Sequence, residues 1–290
     1  MTYFLNESSH HLRKLFLNRG AAVGAYQAFQ LEDGEFGYRL TEDVRRQPAA
    51  IVASVLAEPS SLFDVLALFR VLRDNRSQRP SLLIPYLGYA RQDEPAAGEA
   101  AIGVMVAELV RNLNAAATFV VDVHSDAILR ALGPETAEVS ALPLFAERLK
   151  ESNIEVVVAA DEGARVRAEA LAALLGPNVG VAVIKKTRSK PGVAVSRTLT
   201  GDVHLKRCVI VDDMIDTGVT MIEAVRLLKS KGADRIHAAA THGIFSKDAR
   251  ERLARTDLLE ILVTNTLPQP RHPLVKVIDI TPTLLSLVTP

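Results

Sequence analysis

The chain has 290 residues, of which 48% are hydrophobic, 5% aromatic and 23% charged; this is the composition of a globular protein with a real core and excludes a disordered chain. Lys plus Arg and Asp plus Glu each number 34, so the formal net charge is zero and the basic excess of a general nucleic-acid binder is missing. The single cysteine, Cys208, excludes an internal disulfide framework and any CxxC metal or redox motif, and it suits a reduced, cytoplasmic setting. The first residues do not follow the pattern of a signal peptide, and no run of 18 apolar residues predicts a membrane span.

Short apolar runs predict strands at residues 50–55, 82–86, 118–123, 156–159, 180–184, 208–211, 236–240 and 261–264. Their nearly unbroken apolar character suits strands covered on both faces of a parallel sheet. Helical periodicity lies between them. Residues 61–74 place Leu62, Val65, Leu66, Phe69 and Leu72 on one stripe, and residues 165–175 and 219–231 read the same way. Strand–helix alternation of this kind predicts an α/β architecture with parallel sheets. The length predicts two domains. An echo supports them: Phe119-Val-Val-Asp122 and Val209-Ile-Val-Asp212 are both apolar strands that end in an acid. The boundary is placed at 142/143. The apolar last residues, about 276–290, are expected to pack back on the first domain.

The most informative stretch runs from Val209 to Thr220. Asp212 and Asp213 stand at the carboxyl end of a buried strand, where open α/β sheets bind ligands. Asp216, Thr217, Gly218, Val219 and Thr220 then open a helix. Its N–H groups, two hydroxyls and a glycine that lets the backbone curl make an anion site suited to a phosphate. The acids suit ribose hydroxyls, directly or through Mg2+. An ordinary strand–turn–helix would use the same Asp and Thr merely to cap the helix. The glycine spacing excludes GxGxxG, and GxxxxGK[ST] and HExxH are absent, so phosphate binding has to use another loop.

This segment resembles the phosphoribosyl-pyrophosphate signature of the type I phosphoribosyltransferase fold, in the version found in the ribose-phosphate diphosphokinases. The resemblance covers about residues 29–288. It implies two tandem phosphoribosyltransferase-like domains, each a mostly parallel sheet flanked by helices, with ATP on the N-terminal side and ribose 5-phosphate on the C-terminal side. Ile84-Pro-Tyr-Leu-Gly-Tyr-Ala-Arg-Gln-Asp93 is similar to a segment particular to these diphosphokinases, and implies that Arg91 and Gln92 contact ATP. Asp122-Val-His124 resembles their Asp-x-His, which makes His124 a contact for ATP phosphates and Mg2+. Asp161, Glu162, Gly163 and Ala164 match a pyrophosphate loop, with Ala160 and Ala164 standing where the family has Pro and Gly; the resemblance implies that Asp161 is a second Mg2+ ligand. Lys186 and Arg188 take the places of the basic pair on the catalytic loop. Asp33, Gly34 and Glu35 match a loop that reaches the ATP site of a neighbouring subunit, with Leu31 in place of the adenine-stacking aromatic.

The implied reaction transfers the β,γ-diphosphoryl group of ATP to the C1 hydroxyl of ribose 5-phosphate and releases AMP, with Mg2+ as cofactor. A cytoplasmic homo-oligomer that binds neither nucleic acid nor membrane is expected. Two other readings stand beside it. A phosphoribosyltransferase would share the acidic turn, but the Arg91–Asp93 segment and the two-domain length argue against it. A regulatory homologue without turnover would explain Leu31, Ala160, Ala164 and the unusual stretch 94–101. Lys186, Arg188, His124 and the intact acidic turn argue for turnover.

Overall fold

The computed structural model describes residues 1–187 and 196–288. It divides into two compact units: Met1–Val139 with Thr266–Pro268 and Ile280–Pro290, and Ser140–Asn265 with Gln269–Asp279.

Unit one begins with β1 (Thr2–Leu5), a 3-10 turn at Glu7–Leu12, α1 (Arg13–Asn18) and β2 (Ala22–Val23). There follow β3 (Tyr26–Gln30), β4 (Phe36–Leu40), β5 (Ala49–Val52), α2 (Pro59–Asp74) and β6 (Ser81–Ile84). It continues through α3 (Ile102–Arg111), β7 (Thr118–Val121), α4 (Asp126–Leu132) and β8 (Thr136–Val139). Six strands form one parallel sheet in the order β2-β1-β5-β6-β7-β8, and β3 and β4 form a separate antiparallel hairpin. Every residue of β5 is buried, as its AAIV sequence requires of a central strand. Helix α2 starts at Pro59, where the missing N–H costs nothing. It buries Val65, Leu68, Phe69 and Leu72 in a core with Ile51, Leu82 and Val120, each large side chain contributing about 1.5–3 kcal/mol. Leu62 and Leu66 of the predicted stripe are only half-buried, and Leu68 takes the inner position.

Unit two holds α5 (Leu142–Leu149), β9 (Val156–Ala159), α6 (Arg165–Leu175), β10 (Gly180–Thr187), β11 (Ser196–Thr200) and β12 (Arg207–Ile215). It continues through α7 (Val219–Ser230), β13 (Arg235–Gly243), α8 (Ala249–Leu253), β14 (Leu258–Thr264) and β15 (Val275–Ile278). The strand order is β11-β10-β9-β12-β13-β14-β15, parallel except for β11, which runs antiparallel to β10 at one edge. The chain then returns to unit one as α9 (Thr281–Ser286), and the Tyr3 hydroxyl donates to the Val288 carbonyl at 3.5 Å.

Several strand ends differ from the sequence expectation. The run 50–55 stops at Val52, with Val55 making only an isolated bridge to Leu87. The run 118–123 stops at Val121, because Asp122 turns the chain with a left-handed φ of 37°. Strands β12 and β13 are longer than their apolar runs, since Asp212 pairs with Ala240, Met214 with His242 and Ile215 with Gly243. Cys208 is fully buried in β12, and burial pushes its thiol pKa up to about 11. In the same sheet His237 Nδ1 lies 3.2 Å from Glu260 Oε1, while Arg148 donates to Glu260 Oε2 at 2.8 Å. Burial holds His237 below the usual imidazole range, with the Glu260 carboxylate opposing that shift.

Candidate active site

In unit two, parallel pairing places the end of β9 beside the middle of β12, with Ala159 opposite Val211. Asp161 therefore emerges beside Asp212 and Asp213. Asp213 is 7% exposed and Asp212 half-buried. Their side chains are braced locally: the Asp213 N–H donates to Asp212 Oδ1 at 3.0 Å, and the Met214 N–H to Asp213 Oδ1 at 2.8 Å. Burial first, then the charges of Asp213 and Asp161, pushes the Asp212 carboxyl well above its usual range. The two acids lie inside the paired strand, not just past its end. A cation or a set of sugar hydroxyls would relieve their mutual repulsion.

The turn that follows settles how α7 begins. Gly218 is its N-cap, in left-handed conformation (φ 74°, ψ 0°), and has no side chain with which to cap the helix. The first N–H groups of α7 thus receive no bond from the N-cap residue itself, and a helix N-terminus of this kind suits an anion. Thr217 is exposed and Thr220 half-buried, so both hydroxyls are reachable. The cradle is braced from behind. A Cβ at position 218 would lie 3.1 Å from Leu253 of α8, and the N–H groups of Ile244 and Phe245 both donate to the Ile215 carbonyl, at 2.9 and 3.0 Å.

The loop 160–164 joins β9 to α6. Asp161 Oδ1 accepts the Ala164 N–H at 3.3 Å. Ala164 has φ −82°, and Gly163 is not among the residues of positive φ. An alanine at 164 is therefore accommodated without backbone strain. The Glu162 carboxylate is engaged by Arg165 at 2.7 Å and Lys185 at 3.8 Å. Lys186 is carried by β10 opposite Arg197 of β11. Arg188 lies outside the described residues. The pairing of Arg197 with Glu223 of α7 was not signalled by any sequence motif.

In unit one, a compact loop follows β6. The Gly88 N–H donates to the Val55 carbonyl at 2.8 Å, and a Cβ at position 88 would come within 2.7 Å of that oxygen, so only glycine fits. Tyr89 takes a left-handed φ of 64° and its hydroxyl donates to the Ala57 carbonyl. The Gly103 N–H donates to the Gln92 carbonyl at 3.0 Å and ties the loop to α3. Arg91 and Gln92 are exposed on this loop. Asp93 reaches the turn after β7: a hydrogen bond with Ser125 and the nearby His124 hold its carboxyl below the usual range. The structure thus brings the 91–93 loop to exposed His124. Asp93 had a signal in the sequence, its place beside Arg91 and Gln92, although it was not among the expected contacts. The hairpin tip with Asp33 and Glu35 is closed by its own bonds, including the Glu35 N–H to Asp33 Oδ1 at 3.1 Å and the Leu31 N–H to the Glu35 carbonyl at 2.8 Å. Leu31 at the tip is 49% exposed.

Two parallel α/β units, one ending in braced acids and a glycine-opened helix, define a sugar-phosphate-binding enzyme of the phosphoribosyl class. The N-terminal domain of ribose phosphate pyrophosphokinase matches residues 2–115, and the phosphoribosyl synthetase-associated domain matches residues 177–288. The ribose-phosphate pyrophosphokinase of Vibrio cholerae is 32% identical over 88% of this chain and 81% of its own length. That of Ralstonia nicotianae is 35% identical, over 82% and 77%. The crystal structure of phosphoribosylpyrophosphate synthetase from Mycobacterium smegmatis is similar with a TM-score of 0.88 and 34% identity, covering 98% of this chain and 96% of the other. The chain belongs to the ribose-phosphate pyrophosphokinase family, and its two units are phosphoribosyltransferase-like domains. Among the described residues, no helix is long and apolar enough to cross a membrane.

Proposed function

We propose that the chain makes 5-phospho-α-D-ribose 1-diphosphate by moving the β,γ-diphosphoryl group of ATP to the C1 hydroxyl of ribose 5-phosphate, with AMP leaving. The observation that carries this reading is the N-terminus of α7, opened by Gly218 directly after the Asp212–Asp213 strand. Asp216–Thr220 would hold the 5-phosphate, and Asp212 and Asp213 the ribose hydroxyls. The loop 161–164 would wrap the diphosphate. Arg91, Gln92 and His124 would orient ATP, with Asp33 and Glu35 supplied across a homo-oligomer. Attack at the β-phosphorus is in line, and such transfer depends on positioning and on neutralising charge that develops in the transition state. Lys186 and Arg188 would stabilise that charge.

Among the described residues, no three His, Cys, Asp or Glu side chains form a metal cage. That fits Mg2+, which keeps several waters and binds through one or two carboxylates plus substrate phosphates. The raised Asp212 carboxyl, pressed by Asp213 and Asp161, also fits a cation at this strand end. Asp161 and His124 would be ligands; bound Mg2+ would neutralise phosphate charge. A cytoplasmic location accords with the single, buried cysteine. The test is incubation with ribose 5-phosphate, ATP and Mg2+, with separation of the nucleotides. AMP that forms only when ribose 5-phosphate is present is expected. Binding of both substrates without AMP would make the chain a regulatory homologue, and ADP in place of AMP would overturn the diphosphoryl transfer.

A further inference from the structure

The chain leaves β13 through a strained turn. Phe245 and Lys247 both take a left-handed φ, of 50° and 57°. A bulky aromatic in that region is an outlier that persists only where its surroundings impose it, and such outliers gather at functional sites. Phe245 is also buried, at 4% exposed. Its N–H and that of Ile244 converge on the carbonyl of Ile215, the last residue of β12, directly before Asp216. The strained turn is therefore a clasp on the chain at the point where it enters the 216–220 cradle.

A single side chain holds this clasp from behind. The Arg250 guanidinium, on α8, lies over the Phe245 ring with its carbon 4.5 Å from the ring centroid. Arg250 Nη2 donates to Gln269 Oε1 at 2.9 Å, and Gln269 Nε2 donates to the Gly243 carbonyl at 2.6 Å. The chain of contacts thus returns to the strand it started from. A Cβ at position 243 would come within 2.5 Å of the Phe245 ring and 3.0 Å of Gln269 Nε2, so glycine is what lets ring and amide close in. Arg250 is half-buried, and its Nε is buried without a partner among the described residues. Desolvating a cation is unfavourable, and an aliphatic side chain could fill the same space without that penalty. What the guanidinium adds is direction: one plane that covers the ring while its edge holds the Gln269 amide. The same short helix meets the cradle again through Leu253, against Gly218.

We infer that Arg250 is a positioning residue for the sugar-phosphate turn: bound to Gln269 and laid over Phe245, it keeps the Ile244–Phe245 clasp closed on Ile215 and so fixes where residues 216–220 stand. The inference rests on the proposed 5-phosphate role of that turn. Gly218 is only three residues past the clasped carbonyl, about 10 Å of extended chain at most, so movement at the clasp passes directly into the cradle. A misplacement of about 1 Å can lower activity on the order of a hundredfold.

The experiment measures kcat and the KM values of ribose 5-phosphate and ATP for Arg250→Met, Arg250→Lys, Gln269→Ala, the Arg250→Met/Gln269→Ala double variant and the Thr217→Ala/Thr220→Ala double variant. Arg250→Met keeps the packing but loses the charge and the bond. It should raise the ribose 5-phosphate KM on the order of tenfold, as loss of one bond from a charged group implies, with the ATP KM unmoved. Gln269→Ala should shift the same constant in the same direction. Lysine at 250 keeps the cation without the fork and should recover part of the loss. The Arg250→Met/Gln269→Ala variant should be no worse than Arg250→Met alone, because the two side chains act as one link. A folded Arg250→Met enzyme with the parental ribose 5-phosphate KM, or equal shifts in both KM values, overturns the inference. If Arg250→Met fails to fold, a parental ribose 5-phosphate KM in Gln269→Ala overturns it instead. If the Thr217/Thr220 variant leaves the ribose 5-phosphate KM unmoved, the phosphate role of the turn fails. If that variant raises it while the Arg250 and Gln269 variants do not, only the role of Arg250 fails.

Discussion

Replacing Gly218 with alanine tests the cradle most directly. Its φ of 74° costs an L-residue about 1–2 kcal/mol. The new methyl would also sit 3.1 Å from Leu253 Cδ1 and 3.2 Å from Cγ, and Leu253 is fully buried and has little room to yield. With part of the loss offset by a less flexible unfolded chain, the net expectation is a destabilisation of about 1–3 kcal/mol. Any tilt of the first turn of α7 turns its N–H groups away from the phosphate, so the ribose 5-phosphate KM should rise about tenfold or more, each factor of ten corresponding to about 1.4 kcal/mol. Urea denaturation reads the first effect and initial rates the second, with the ATP KM as the internal control. Repeating the substitution in a Leu253→Ala background removes the crowding but not the backbone strain, and should leave a smaller stability loss, that of the strain alone. A Gly218→Ala enzyme as stable as its parent, with an unchanged ribose 5-phosphate KM, would refute the reasoning.

Three further outcomes are expected. Lys186→Ala or Arg188→Ala should lower turnover by orders of magnitude at unchanged melting temperature; parental turnover would remove that residue from the chemistry. Because the folded Asp212 carboxyl is raised above its ordinary 3.8, the native state without Mg2+ binds a proton the unfolded chain has released, so stability falls as pH rises from about that value through the folded one. Asp212→Asn should remove this slope in urea titrations, and a slope of parental size would assign it to other groups. His237 has the opposite dependence: its imidazole is lowered from 6.5 in the folded state, so stability is full above that pH and is lost as pH drops through it toward the folded value. His237→Gln should remove that acid limb, which unfolding midpoints between neutral and mildly acidic pH would detect.

Much of the architecture was legible because central parallel strands are apolar along their whole length. Val156–Ala159 and Arg165–Leu175 coincide with their predicted bounds. What escaped the apolar pattern is physically distinct. β3 and β4 are solvent-facing, β11 is a short edge strand, and β8 mixes Thr and Glu with its apolar residues. The extension of β12 through Asp212 to Ile215 depends on a ladder with β13, and no local residue preference announces it. The acidic turn was readable as a ligand site, but its decisive feature was not: sequence leaves open whether Asp216 or Gly218 caps α7, and only the backbone answers that. Ties between distant segments, such as Arg148 with Glu260 or Arg197 with Glu223, carry no motif, since each partner alone is an ordinary polar residue.

Cys208, sealed near the start of β12 with its thiol held neutral, also gives the molecule a built-in chemical clock. A thiol needs both exposure and ionisation to react with disulfide reagents, and here it has neither while the sheet is intact. Its labelling therefore reports how often this part of unit two opens. Saturating ribose 5-phosphate should slow that labelling, and it would do so in a single mass measurement, without any need to follow turnover.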